Sequence, residues 1–413
     1  MEEAILVGLD LEKDQNFENS MLELANLATA CNITVLHTIT QKSKRPTANY
    51  YIGSGKVKEV LEAITTLDAN LVIFNDELSP SHIRNLEEQL NIKVIDRTVL
   101  ILDIFARRAK TKEAMLQVEL AQAKYFMPRV IGMHKHLSRQ KSGTGSKGPG
   151  EQQLELDRRL LRNKITKLQG DLDSLVQVRR TQREKRKNND IFTVALTGYT
   201  NSGKSTLMNS IIDIATTHKE EYVFEKNMLF ATLETKTKRI HLDNNHIFLL
   251  TDTVGFIEKL PHHLIEAFKS TLEEISEASL ILHVIDTSNK DYENQIKTVE
   301  EVLESIGVSE IPIVYVYNKV DLLEEIPLTI KDKSVFISAI NNYNVNRLLE
   351  TIDKFIYKTI SVVTMLLPFN RSEIYAELKE TSNILNTEYT EEGTTIQVEV
   401  NEYHLSKYKE FIK

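Results

Sequence analysis

Residues 198–206 read GYTNSGKST and lie between an apolar run, FTVAL, and a helix-like stretch, LMNSII. The order strand, glycine-rich turn, helix restricts the fold more than any other feature of this 413-residue chain. The GxxxxGK[ST] spacing lets backbone N–H groups face inward around phosphates at the start of a helix, where the helix dipole adds partial positive charge. Such a turn belongs to an α/β sheet, and such sheets hold ligands at the carboxyl ends of their strands. Further buried-strand patterns follow, HIFLLTDTVG, LILHVIDT, IPIVYVYNK and VFISA, each ending in a polar turn.

Those turns supply a consistent chemistry. Gly198, Tyr199, Thr200, Asn201, Ser202, Gly203, Lys204, Ser205 and Thr206 form the predicted phosphate loop. Lys204 is placed to neutralise the β- and γ-phosphates, and Ser205 to offer its hydroxyl to Mg²⁺. In DTVGF, Asp252 is a second metal partner, Thr253 and Val254 complete the turn, and Gly255 presents an N–H that no side chain shields. NKVD, comprising Asn318, Lys319, Val320 and Asp321, reads guanine. A carboxylate at Asp321 accepts from the N1–H and N2–H of that base, an edge adenine lacks. Ser338 and Ala339 supply a backbone N–H for O6. Between Lys204 and Asp252, FATLETKTK offers Thr232, Thr235 and Thr237 as metal-sensing threonines. Thr232 is selected, with Phe230, Ala231 and Leu233 beside it, so the catalytic set becomes Lys204, Thr232 and Gly255 and the metal set Ser205, Thr232 and Asp252.

One position departs from the common pattern. Many switch GTPases carry a glutamine after DxxG that orients the attacking water, and here that position is Phe256. A phenyl ring makes no such hydrogen bond, so slow unaided hydrolysis is expected. Asn201 resembles the phosphate-loop asparagine of GTPases activated by potassium, which adds K⁺ to the expected Mg²⁺.

Ahead of the phosphate loop, residues 1–103 alternate β-branched runs (AILVGL, ITVLHTI, LVIFN, KVID) with helical stretches near 18–30, 55–67 and 79–90, the signature of a small parallel sheet. The GSGK at residues 53–56 lacks the spacing to wrap phosphates and reads as a turn entering a helix. Residues 104–190 hold 21 Lys/Arg against 9 Asp/Glu, leaving 30 basic and 50 acidic residues elsewhere, so a +12 segment sits in a chain of net charge −8. A polyanion partner is the expectation. Two long helices, 104–127 and 151–187, are predicted there, the second with Leu154, Leu161, Leu168 and Leu175 at heptad spacing and Ile165 and Leu172 on the same stripe. Met115, Val118 and Tyr125 are the expected partners on the first. Between them, residues 128–150 contain five glycines and five Lys/Arg without apolar periodicity. A loop that long tends to be functional. Arg129, Lys135, Arg139, Lys141 and Lys147 are its candidate RNA contacts.

The expected organisation is an α/β chain: a small α/β domain (1–103), a basic helical hairpin (104–190), a P-loop GTPase domain (191–360) and a small α+β C-terminal module (361–413). A helix and a hairpin are read in that last module, packed on the preceding domain. The single cysteine, Cys31, excludes a disulfide framework, and no stretch approaches the roughly 18 apolar residues of a membrane-spanning helix. A reducing, cytoplasmic setting is the expectation.

With its motifs placed, the chain resembles the HflX family of ribosome-associated GTPases. GYTNSGKST, LFATLE, DTVGF and NKVD carry the resemblance, together with YYIGSGK, VIDRTVLILDIFARRAKTKEAMLQVELAQ and GTGSKGPGEQQLELDRR. It implies a monomeric GTP hydrolase, partly ribosome-associated, that binds GTP or GDP and the large (50S) ribosomal subunit. It further implies that the basic hairpin approaches ribosomal RNA and that GTP controls the splitting of stalled or idle ribosomes. A GTP-regulated RNA-binding protein and a ribosome-assembly factor are the alternatives.

Overall fold

The computed structural model describes residues 2–12, 16–133, 149–188, 191–215, 235–259, 274–308, 310–325 and 333–413. It divides into two compact units, the first built mainly on Met1–Leu175 and the second on most of the remainder.

In the first unit, strands β1 (Glu2–Leu11), β2 (Ile33–Ser43), β3 (Leu71–Phe74) and β4 (Lys93–Asp96) form a parallel sheet in the order β2-β1-β3-β4. Helices α1 (Phe17–Ala30), α2 (Ser54–Leu67) and α3 (Pro80–Leu90) connect them. Parallel strands covered on both faces need apolar residues at every position, and β3 (LVIF) is buried throughout. Helix starts follow local chemistry. Ser79 accepts from the His82 N–H at 3.2 Å with Pro80 in the first turn, and the residue 53–56 turn enters α2 with Gly53 as its N-cap.

The expected boundary at residue 103 falls inside a helix. α4 runs Arg97–Arg108, capped by Asp96, whose carboxylate accepts from the Val99 N–H at 3.2 Å. The expected helix 104–127 is therefore two: α4, then α5 (Lys112–Met133), which continues through Pro128 into what reads as loop. α6 follows at Pro149–Asn188. The remaining loop, with Lys135, Arg139, Lys141 and Lys147, lies outside the described residues.

Arg129 is corrected. Its guanidinium donates to the carbonyls of Tyr125 (2.7 Å) and Leu78 (2.9 Å) and to Asp96 (3.2 Å), and lies 3.2 Å from the Tyr125 ring centroid. Its side chain is 10% exposed, and the Tyr125 hydroxyl donates to Asp96 at 2.7 Å. A guanidinium with these partners ties α5 to the end of β4 and is not available to a phosphate.

The pairing face of the helices is also corrected. Leu168 and Leu172 of α6 pack with Leu120 of α5, flanked by Leu116 and Ile165. Met115 is 47% exposed, while Val118 and Tyr125 are buried outside this cluster. The α6 stripe was readable from its leucines, whereas on α5 two apolar faces compete and helices α3 and α4 take one of them.

The second unit holds a six-stranded sheet ordered β10-β9-β8-β5-β7-β6. Its strands are β5 (Phe192–Thr197), β6 (Lys236–His241), β7 (Ile247–Asp252), β8 (Leu280–Asp286), β9 (Ile313–Asn318) and β10 (Ser334–Phe336), with only β6 antiparallel. Helices α7 (Lys204–Ala215), α8 (Tyr292–Ser305) and α9 (Val345–Tyr357) belong to the same fold. Chain order reverses at β5, which pairs with β7 on one side and β8 on the other, making the switch point where α/β sheets bind ligands.

The C-terminal module carries α10 (Ser372–Thr381), the hairpin β12 (Asn383–Thr390) and β13 (Gly393–Val400), and α11 (Glu402–Lys407). It also contains β11 (Ser361–Leu367), not anticipated, which makes the order β11-β13-β12. His246, 5% exposed, joins this module to the six-stranded sheet: Nδ1 lies 2.6 Å from Asp353 and Nε2 lies 3.0 Å from Glu399.

If Leu120 locks the helical hairpin, Leu120→Ala destabilises the protein by about 2–3 kcal/mol, whereas Met115→Ala stays within about 0.5 kcal/mol. Urea unfolding of both variants checks this, and equal effects would contradict the assigned face.

Candidate functional site

The five turns identified in the sequence converge on one edge of the six-stranded sheet. β5 leads into residues 198–203 and α7, while β7 ends at Asp252, β8 at Asp286 and β9 at Asn318, and β10 precedes Ser338.

At the centre, the loop folds around the first turn of α7. Lys204, 6% exposed, donates to the carbonyls of Gly198 (3.1 Å) and Tyr199 (2.8 Å). Burial lowers its pKa to about 8, with Asp252 opposing that shift and Lys319 adding to it. Ser205 donates to Asp252 at 2.7 Å, and Asp252 is fully buried. Hydroxyl and carboxylate oxygens brought this close suit a hard divalent cation. Thr253 donates to the Leu196 carbonyl at 2.6 Å and holds the DTVGF turn against β5.

Contacts from neighbouring turns require glycine at Gly203 and Gly255. Gly203 has φ 93°, and a Cβ there would lie 2.2 Å from Asn318 Nδ2. At Gly255 a Cβ would lie 2.9 Å from the Lys204 ammonium and 3.0 Å from Thr200 Cα. Phe256 closes the assembly by its backbone: its N–H donates to Gly198 O (3.1 Å), and its carbonyl accepts from the Thr200 N–H (2.7 Å). Its ring is 2% exposed, so the side chain is core and the main chain is a clamp on the loop.

Asn318, 2% exposed, donates to Ser202 O at 2.9 Å and accepts from the Ala339 N–H at 3.0 Å. Lys319 adopts a left-handed conformation (φ 67°), and Asp321 lies exposed in the 3-10 turn Val320–Leu322. Ser338 accepts from the Asn341 N–H at 3.3 Å, shaping the loop that presents Ala339. The structure thus brings together residues 198–206, 252–255, 318–321 and 338–339. Phe230, Ala231, Thr232 and Leu233 lie outside the described residues. Of the other threonines weighed with Thr232, Thr237 belongs to β6 and its hydroxyl is 3.0 Å from that of Thr251.

Sequence reading missed two features on β8. His283, 1% exposed and opposite Thr197 in the β5 register, is held neutral: burial, then the Lys204 charge, lowers its pKa to about 3. A lone polar residue within the apolar run LILHVI was its only signal. The second is Asp286-Thr287-Ser288, in which Asp286 and Thr287 meet the NKVD turn and Ser288 bonds to Asp286.

A phosphate loop at the switch point, with the DTVGF and NKVD turns around it, defines a P-loop GTPase, an enzyme that hydrolyses GTP. Residues 18–106 match the family described as GTP-binding GTPase N-terminal and 108–186 the GTP-binding GTPase middle region. Residues 193–319 match the 50S ribosome-binding GTPase family. The chain is 45% identical over 399 residues to GTPase HflX of Caldanaerobacter subterraneus subsp. tengcongensis, covering 97% of this chain and 91% of that one. Identity is 42% to GTPase HflX of Alkalihalophilus pseudofirmus and 39% to that of Escherichia coli, each covering 97% of this chain and 93% of the relative. The chain belongs to the HflX GTPase family.

Lys204 gives the site a pH dependence. Bound phosphates restore its charged form, so above pH 8 binding must take up a proton. GDP affinity is expected to fall about fourfold between pH 7 and 8.5. Fluorescence titration with a labelled GDP reads this, and a flat profile would show that the empty site leaves Lys204 fully charged.

Proposed function

We propose that this protein is a cytoplasmic GTPase that binds the large ribosomal subunit in its GTP state and dissociates stalled or idle ribosomes. The observation that carries the reading is the convergence of the phosphate, metal and guanine turns at one sheet edge, in a chain whose segment 193–319 matches a 50S ribosome-binding GTPase family.

In this reading the N–H groups of residues 198–206 cradle the phosphates, with Lys204 balancing their charge. Asp321 accepts from N1–H and N2–H of guanine, Lys319 lies along the ring, and the Ser338–Ala339 turn meets O6, with the Ala339 N–H shared with Asn318 Oδ1. Ser205 and Asp252, with Thr232 as the expected further ligand, would hold Mg²⁺, which would supply charge neutralisation at the phosphates. Asn201, exposed and left-handed at the loop tip (φ 61°), would assist K⁺, which comparison of turnover in potassium and sodium would test. Gly255 offers its N–H to the γ-phosphate, so GTP and GDP hold the following segment differently.

The hairpin of α5 and α6 supplies the ribosome contact, through Lys135, Arg139, Lys141 and Lys147 toward ribosomal RNA. Phosphate neutralisation by such residues makes association strongly salt-dependent. The protein acts as a monomer, its hairpin wedging on the subunit before hydrolysis releases it.

Cosedimentation with 50S subunits in a GTP analogue and in GDP tests the reading. Association is expected in the analogue, weakened in GDP and by added salt; equal binding in both nucleotides would overturn it. Because the Phe256 ring is buried, no side chain at that position orients water, and the partner completes catalysis. Turnover of the isolated protein is expected to be slow and to rise at least about tenfold with 50S subunits, a modest fraction of what partner-supplied groups contribute. Fast turnover insensitive to the subunit would contradict this.

A further inference from the structure

The end of β8 and the turn after it touch the guanine-reading loop through two side chains, Asp286 and Thr287. Lys319 donates to Asp286 Oδ2 at 2.6 Å. Oδ1 of the same carboxylate accepts from the Ser288 N–H (3.1 Å) and the Ser288 hydroxyl (2.5 Å). Thr287 donates to the Asn318 carbonyl through both its N–H (3.1 Å) and its hydroxyl (2.6 Å). Asp286 and Asn318 are also register partners in the β8–β9 pair.

These contacts do more than neutralise a charge. Lysine is a flexible four-carbon stem that loses considerable rotamer entropy when fixed. Here its backbone is left-handed, its ammonium is held by a carboxylate, and that carboxylate is itself fixed by Ser288. Lys319 is 24% exposed and Asp286 16%, so the pair is only partly screened by solvent. A stem anchored at both ends presents a preformed apolar edge against which a purine face can lie, and a preordered contact lowers the entropy lost on binding.

We infer that Asp286 is a positioning residue for guanine recognition, acting through Lys319, with Ser288 fixing its carboxylate. The inference rests on the assignment of NKVD as the base-reading loop and extends it to a turn outside the motif. Since the contact concerns the base and not the phosphates, GTP and GDP are affected alike, and the change falls on dissociation rate.

A double-mutant cycle on labelled GDP and GTP binding tests it, using unaltered protein, Asp286→Asn, Lys319→Ala and the double variant. Asp286→Asn keeps shape and one acceptor oxygen but removes the charge. It is expected to weaken both nucleotides about tenfold, through faster release, as loss of a charge-assisted hydrogen bond does. In the Lys319→Ala background the same substitution should change affinity less than twofold. Equal losses in both backgrounds would overturn the inference, since a general structural role needs no Lys319, and so would an unaffected Asp286→Asn. Should Asp286→Asn not fold, judged by circular dichroism, Ser288→Ala replaces it in the cycle, with about a threefold loss that also requires Lys319. Failure of the unaltered protein to bind labelled GDP would instead remove the base-loop assignment, and the inference with it.

Discussion

The nucleotide site depends on one buried amide. Asn318 reaches the Ser202 carbonyl with its nitrogen and the Ala339 N–H with its oxygen, joining three turns that are distant in sequence. A buried amide satisfied on both ends fixes the separation of its partners, because either group left alone would carry the full desolvation penalty. The distance between the phosphate loop and the NKVD turn is therefore set by the protein itself. Gly203 is part of the same constraint, since any side chain there would occupy the space of the Asn318 amide.

Against that fixed frame the other half of the site is electrostatically tense. Lys204 turns its ammonium to two loop carbonyls, buried and near a second lysine, in an arrangement that favours phosphate oxygens as replacement partners. Beneath it, His283 is held uncharged by burial, so no second cation forms in the sheet under the loop. Phe256 links loop and DTVGF turn through main-chain hydrogen bonds, and whatever displaces Gly255 is felt directly at Gly198 and Thr200.

Much of this was legible in the sequence for a physical reason. Phosphate loops, DxxG and NKxD are contiguous, and their spacing is dictated by backbone geometry, so turns that converge in space announce themselves in the sequence. Parallel strands buried on both faces are equally visible, as LVIF and LILHVID illustrate. What stayed hidden depends on contacts between distant segments. Nothing in the α5 sequence distinguishes the face that takes Leu168 and Leu172 from the face carrying Tyr125. Arg129 looks like every other cation of the basic segment until Asp96, the end of a strand over thirty residues earlier, is seen beside it. Asp286 follows no motif, and its role emerges only when β8 and β9 lie side by side. β11 escaped notice because its outward residues are mixed and its partner, β13, lies beyond a helix and another strand.

The Asp96 junction has a mechanical meaning. One carboxylate caps α4, receives the Leu78 N–H and the Tyr125 hydroxyl, and holds the Arg129 guanidinium, so the last turns of α5 are welded to the rim of a parallel sheet. A proline at 128 would ordinarily mark a joint, yet the helix runs through it to Met133 with this bracing alongside. α5 is therefore built as a cantilever and not as a tether: a load at its far end is delivered into the sheet as torque instead of being lost in a bending hinge.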